Sequence, residues 1–249
     1  MSMLASWTAR PRRARVPEGR RIYAIGDVHG RLDLLESLYD RIGEDNRTRG
    51  AAETEIILLG DLIDRGPDSA GVVRWAMRTD PSFAQLVTLK GNHEASLNAV
   101  LAGDLTWLES WLRYGGTEAL KSWGVDAGVI AEGTPDQIAA AARAAVSVYE
   151  RHWLASLPVC RQVGDYYFVH AGVRPGVAIE EQQEADLLWI RGEFLDHSGD
   201  HGPVVVHGHS ISERVEERTN RIGIDTGAYF SDRLTAIGIE GGKRWYLES

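Results

Sequence analysis

Three short apolar runs, each closed by a glycine and a knot of polar residues, constrain this 249-residue chain more than anything else in it. Ile22 to Ile25 precede Gly26-Asp27-Val28-His29-Gly30. Ile56 to Leu59 precede Gly60-Asp61-Leu62-Ile63-Asp64-Arg65-Gly66, and Leu86 to Leu89 precede Gly91-Asn92-His93-Glu94. A short continuous apolar run bounded by glycine reads as a strand buried on both faces. Helical spacing follows, as in Leu34, Leu35, Leu38 and Ile42. Asp68-Ser69 offers an N-cap for a helix carrying Val72, Val73 and Met77, with Pro81 past its end. Strand, glycine-rich turn and helix in succession predict βαβ units, a largely parallel sheet and an α/β fold. Such sheets bind ligands at the carboxyl ends of their strands, so the three polar knots are expected on one rim.

The chemistry of that rim follows from residue type. Asp27, His29, Asp61 and Asn92 offer oxygen and nitrogen donors, with no thiolate among them. Carboxylate with imidazole suits Mn, Fe or Zn better than Ca or a closed structural zinc site. Asp61, in the middle segment, is placed to bridge two ions held from either side. Two later strands repeat the device: Tyr166 to Val169 run into His170-Ala171-Gly172, and Val204 to Val206 into His207-Gly208-His209. One Asp or His at a strand end is ordinarily a cap or turn residue. Three such segments followed by two histidine clusters read instead as a ligand set.

The remaining chain completes one domain, expected over residues 20–249, behind a basic tail over 1–19 that carries Arg10, Arg12, Arg13 and Arg15 and lacks the apolar stretch of a signal peptide. Residues 103–157 read as a helical insertion. Trp107, Leu108, Trp111 and Leu112 recur at helical spacing, Gly115-Gly116 interrupt, and a second stretch runs through Leu120 and Trp123. Thr134-Pro135-Asp136-Gln137 starts a further helix, whose alanine-rich run to Leu154 is expected to pack through Ile138, Ala141, Ala145 and Val148. Half of the eight tryptophans fall here and read as packing of a cap beside the rim. Cys160 reads as a small buried residue at the start of a strand. From Arg221 to Leu247 apolar and polar residues alternate around Gly227 and Gly241-Gly242, which suggests a closing antiparallel segment.

Bulk properties exclude several classes. A net charge of −9 argues against non-specific nucleic-acid binding, and no apolar stretch reaches the roughly 18 residues of a membrane span. An anionic substrate needs positive charge supplied locally, by metals and arginines. One cysteine forms no intrachain disulfide, which fits a cytoplasmic setting.

In order, GDVHG, GDLIDRG, GNHE, HAG and GH resemble the phosphoprotein phosphatase family of two-metal Ser/Thr phosphatases, particularly its bacterial and bacteriophage members. Symmetrical diadenosine tetraphosphatases belong to the same calcineurin-like metallophosphoesterase superfamily. The likeness spans roughly residues 20–240. It implies a β-sandwich core flanked by helices, with the helical insertion as a cap. It implies one metal on Asp27, His29 and Asp61, and a second on Asp61, Asn92, His170 and His209. His207, offset by two residues, is the weaker candidate for the last ligand and a possible support for one. Two divalent ions, with manganese preferred, would lie about 3.5–4 Å apart and present a bridging hydroxide to phosphorus in line. His93 would protonate the leaving oxygen and Asp64 would orient it. Arg65 and Arg191 would grip the phosphoryl oxygens. Lys90 stands where many relatives have arginine and keeps the charge without the fork.

These implications lead to a hydrolase of phosphoserine or phosphothreonine in proteins. A dinucleoside tetraphosphatase, cleaving an anhydride of a small molecule with the same machinery, is the first rival. A non-catalytic metal-binding scaffold is disfavoured because the ligand set and His93 are intact. A nuclease is disfavoured because His209 is followed by Ser210-Ile211 and not by a Gly-His-x-His pattern. The oligomeric state is not encoded in any of these motifs.

Overall fold

The computed structural model describes residues 14–249. β1 (Arg20–Ile25), β2 (Glu53–Leu58) and β3 (Gln85–Thr88) are each followed by a helix: α1 (Leu32–Thr48), α2 (Ser69–Arg78) and α3 (Asn92–Ala102). The insertion contributes α4 (Leu108–Trp111), a kinked turn over Leu112–Gly116, α5 (Thr117–Ser122), α6 (Ala127–Glu132), α7 (Pro135–Ala145) and α8 (Val148–Ser156). The chain continues through β4 (Cys160–Val163), β5 (Tyr166–Val169), α9 (Glu184–Trp189) and α10 (Gly192–Leu195). It closes with β6 (Val204–His207), β7 (Glu216–Glu217), β8 (Arg221–Gly223), α11 (Ala228–Ser231), β9 (Thr235–Glu240) and β10 (Lys243–Glu248).

Two five-stranded sheets face one another, in the orders β10-β9-β1-β2-β3 and β4-β5-β6-β8-β7. As the βα repeats predict, β1, β2 and β3 pair in parallel, with Ile22 opposite Glu55 and Ile57 opposite Val87. Strand alternation explains why the runs are apolar throughout. Ile22 and Ala24 enter the layer between the sheets with Ile57, Phe168, Val206 and Ile237. Tyr23 and Ile25 point to the other face and pack under Leu35, Leu38, Val72 and Val73. Both faces of β1 are therefore dry. The second sheet's outer face carries Tyr167, Val169 and Val205 under Leu187 and Phe194.

Three expectations are corrected, and a fourth falls largely outside the described residues. The alanine-rich stretch is two helices. Ser147 N-caps α8 through a capping box with Glu150, so the buried residues of α7 and its end are Ile138, Ala139, Ala142 and Val146, while Val148 is exposed. The closing segment is divided between the two sheets: β9 pairs antiparallel with β1 and β10, whereas β8 in the other sheet is antiparallel to β7 but parallel to β6. Cys160 is half-buried, because β4 is an edge strand. Residues 1–13 of the expected tail lie outside the described residues. Ala14 and Val16 already belong to the core, and the Val16 N–H donates to the Gly241 carbonyl at 3.0 Å. Among the described residues, no helix is long and apolar enough to cross a membrane.

Candidate functional site

The rim is assembled by backbone that runs tightly from strand to helix. Gly91 shows why glycine is required there: a Cβ would lie 2.2 Å from Asp61 Oδ1 and 2.3 Å from the Asp61 nitrogen. Glu94 locks the same two loops. Its Oε2 accepts from the Gly91 N–H at 2.7 Å and the Asp61 N–H at 2.8 Å, and its Oε1 accepts from the Leu62 N–H at 2.8 Å. This carboxyl caps α3 and reaches across to the β2 turn at once. Burial and the neighbouring Asp61 push it up to about 7 despite those donors.

Asp61 is the centre. Its Oδ2 lies 3.6 Å from His29 Nε2, 3.8 Å from His93 Nε2 and 3.4 Å from His170 Nε2. His29, Asp61 and His93 form one group able to hold a metal ion, and Asp61, His170 and His209 form another. The ring tautomers follow from the carbonyls behind them. His29 Nδ1–H donates to the Ile63 carbonyl at 2.8 Å, and His170 Nδ1–H donates to the Leu59 carbonyl at 3.0 Å. In the neutral rings, each Nε2 then turns a lone pair inward. His170 Nε2 also lies 2.8 Å from Asn92 Oδ1 and 3.1 Å from His209 Nδ1.

Several acceptors thus face one another across the centre, with a proton on His170 Nε2 the one donor these ring nitrogens could offer among them. Asp27 Oδ1 and His209 Nε2 are buried and have no partner. Asp27 lies outside both groups; its Oδ2 accepts from the His209 N–H at 2.9 Å, and Oδ1 remains available to a cation. The electrostatics agree. Burial, with Asp225 and Asp61 nearby, drives Asp27 well above the usual carboxylate range. Burial holds His29 well below its ordinary value, and burial together with His170 holds His209 down to about 2. His170 works against the same burial, yet Asp61 and Asp27 raise it to about 9. A divalent cation would take the place of that proton and answer the orphaned acceptors, so the donor set fits two such ions.

Beside this centre, His93 Nδ1–H donates to Asp64 Oδ2 at 2.5 Å. Burial opposes charging His93, but Asp61 and Asp64 outweigh it and raise the imidazole. Its other nitrogen faces a cavity of about 750 Å³ between the rim and the insertion. Arg65 and Arg191 line the same cavity. Arg65 Nη2 lies 3.4 Å from His93 Nε2, and its guanidinium sits 4.8 Å from the centre of the Tyr229 ring. Arg191 Nη1 donates to the His209 carbonyl at 3.1 Å.

Other residues sort differently. His207 is buried against Phe194, donates from Nδ1 to the Gly208 carbonyl at 3.0 Å, and belongs to neither group. Lys90 bonds Glu184 at 3.0 Å and so tethers α9. Of the insertion's tryptophans, Trp111 and Trp123 are buried, but Trp107 is 64% exposed at the cavity with Tyr114 and Trp189. Sequence reasoning missed Glu94, Tyr229, which meets His29 edge to face at 5.5 Å, and the bond from Trp111 Nε1–H to Asp64 Oδ2 at 2.7 Å. Only Glu94 left a signal, standing three residues after a glycine that opens a helix.

Comparison with known proteins agrees with this geometry. The family model described as calcineurin-like phosphoesterase matches residues 20–234. Serine/threonine-protein phosphatase 2 of Escherichia coli strain K12 is 28% identical over 235 residues, 89% of this chain and 94% of that protein. A symmetrical bis(5'-nucleosyl)-tetraphosphatase of Dechloromonas aromatica strain RCB is 29% identical over 153 residues, 61% of this chain but 44% of that protein. The crystal structure of a candidate diadenosine tetraphosphatase superposes with a TM-score of 0.63 at 21% identity, over 95% of this chain and 98% of that one.

Proposed function

Because this chain belongs to the calcineurin-like phosphoesterases, we propose that it is a two-metal phosphomonoesterase acting on phosphoserine or phosphothreonine of proteins. The observation that carries the reading is Asp61 Oδ2, surrounded by three imidazole nitrogens at 3.4 to 3.8 Å and shared by both metal-capable groups. Asp27, His29 and Asp61 would hold one ion, and Asp61, Asn92, His170 and His209 the other. Manganese suits this oxygen and nitrogen set, with iron or zinc as the alternatives. When bound, the ions supply Lewis-acid polarisation of the phosphoryl oxygens and of attacking water.

The chain's own groups do the rest. Arg65 and Arg191, which both line the cavity, would bind the remaining phosphoryl oxygens in the bidentate manner a guanidinium allows. His93, charged and held by Asp64, would deliver the proton from Nε2 to the departing oxygen. Asp64, buried and anchored, would keep the ring in the tautomer that does so. Lys90 pairs with Glu184 and does not line the cavity.

The protein substrate is favoured by the alignment with the E. coli phosphatase, which runs nearly the length of both chains. The dinucleotide reading has its own support: exposed Trp107, Tyr114 and Trp189 at the cavity offer flat faces on which a base could stack. The deciding experiment is paired. With manganese added, kcat/KM is measured for a phosphothreonine peptide and for diadenosine tetraphosphate. Preference for the peptide is expected. Preference for the dinucleotide would move the chain to nucleotide hydrolysis, and turnover of neither would leave a metal-binding scaffold.

A further inference from the structure

Trp111 sits on α4, in the cap, yet its indole N–H ends on the rim. It donates to Asp64 Oδ2 at 2.7 Å, the same oxygen that receives the His93 Nδ1–H at 2.5 Å. Both side chains are buried, Trp111 3% exposed and Asp64 not at all. Asp64 Oδ1 has no partner, so the carboxylate is held from one oxygen alone, by these two donors. Asp64 and Arg65 also carry left-handed backbone, with φ of 74° and 67°. A residue held there depends on its surroundings to stay.

The segment after Trp111 is built to keep the indole in place. A Cβ on Gly116 would lie 2.5 Å from Trp111 Cε2 and 2.6 Å from Cδ2, so only glycine lets the ring lie flat against the chain. Gly115 has φ 119° and brings its carbonyl to the Arg65 N–H at 3.3 Å; a Cβ there would stand 2.4 Å from that nitrogen. Side chain and backbone of residues 111–116 thus grip Asp64 and Arg65 together.

We infer that Trp111 is a positioning residue for proton delivery, acting through Asp64 on His93, and that the cap thereby takes part in the chemistry as well as in enclosing it. The inference rests on the reading of His93 as the proton donor, and the test separates the two. A substrate with a poor leaving group needs that proton far more than one that leaves as a stable anion. The comparison is therefore phenyl phosphate against p-nitrophenyl phosphate.

His93→Asn comes first and should lose far more on phenyl phosphate than on p-nitrophenyl phosphate. An equal loss on both would overturn the proton-donor reading itself. Trp111→Phe keeps an aromatic ring and removes the N–H. It should lower kcat on phenyl phosphate by roughly tenfold and on p-nitrophenyl phosphate by less than about threefold, with KM little changed. In the His93→Asn background it should cost nothing further. Gly116→Ala, which displaces the indole without touching its chemistry, should give the same split. If His93→Asn shows the split while Trp111→Phe and Gly116→Ala lower both substrates equally, or if the double variant loses the full sum, Trp111 is packing alone.

Discussion

The rim and the cap are built on opposite terms. On the rim, His29, Asp61, Asp64, Arg65 and His209 all hold left-handed backbone, with φ between 45° and 74°. Between residues 103 and 157, every left-handed residue is a glycine. Non-glycine residues in that region cost about 1–3 kcal/mol each, and they persist only where the surroundings fix them. The cap shows the reverse economy. Asp126 caps α6, and Thr134 with Gln137 and Ser147 with Glu150 close capping boxes on α7 and α8. Strain is thus concentrated where donors must converge on Asp61, and it is offset by ordinary helices packed beside it. Residues 111–116 are where the two regions touch.

That contrast can be broken at several points. The largest effect is expected from Asp61→Asn, which removes the carboxylate both metal groups share; elemental analysis should find neither ion retained, and turnover should vanish. Next comes His93→Asn, expected to lower turnover on a phosphothreonine peptide by roughly 10²- to 10⁴-fold while the metal content stays normal. Loss of an ion in that variant would make His93 a ligand, a role its place in the first metal-capable group also allows. Gly115→Ala strikes the junction. With φ 119° and Arg65 2.4 Å from the new carbon, it should destabilise the fold by about 2–3 kcal/mol in denaturant unfolding and lower turnover as well.

The smallest effect lies within the cap. Ser147→Ala should cost about 1 kcal/mol of stability and leave kcat/KM alone, because the capping box does not reach the rim. Its partner Glu150 adds a pH dependence. Burial would raise its carboxyl, but donors from Ser147, Trp123 and Arg74 outweigh that and lower it. A lowered carboxyl stabilises the fold above the ordinary glutamate range and loses that contribution as pH falls through its folded value. The acid limb of a stability profile should therefore flatten in Glu150→Gln. A drop in turnover in Ser147→Ala without loss of stability would erase the division between rim and cap.

What the sequence made legible follows the same division. The strands were readable because β1 and β2 are dry on both faces, which leaves an unbroken apolar run such as Ile56 to Leu59. The rim residues were readable because they stand at the ends of those runs. Contacts between distant segments were not. Trp111 meets Asp64 across 47 residues, and its helical spacing with Leu108 is satisfied by core packing alone. Tyr229 approaches His29 from the short helix α11, with no periodicity to mark it. The break before α8 was different: Ser147-Val148-Tyr149-Glu150 is itself a capping-box pattern, hidden by the alanine run in front of it. Glu94 was overlooked because its work is done on the backbone of another loop.

The proposed function stands on Asp61 joining two metal sites into one phosphoesterase centre. The most direct test is a manganese titration by calorimetry, with hydrolysis of p-nitrophenyl phosphate followed at each point, on the wild-type chain and on Asp61→Asn. Two ions per wild-type chain, activity that rises only as the second binds, and no tight ion in Asp61→Asn are expected. Full activity with a single ion bound, or two ions still held tightly by Asp61→Asn, would rule out Asp61 as the shared ligand of a two-metal centre.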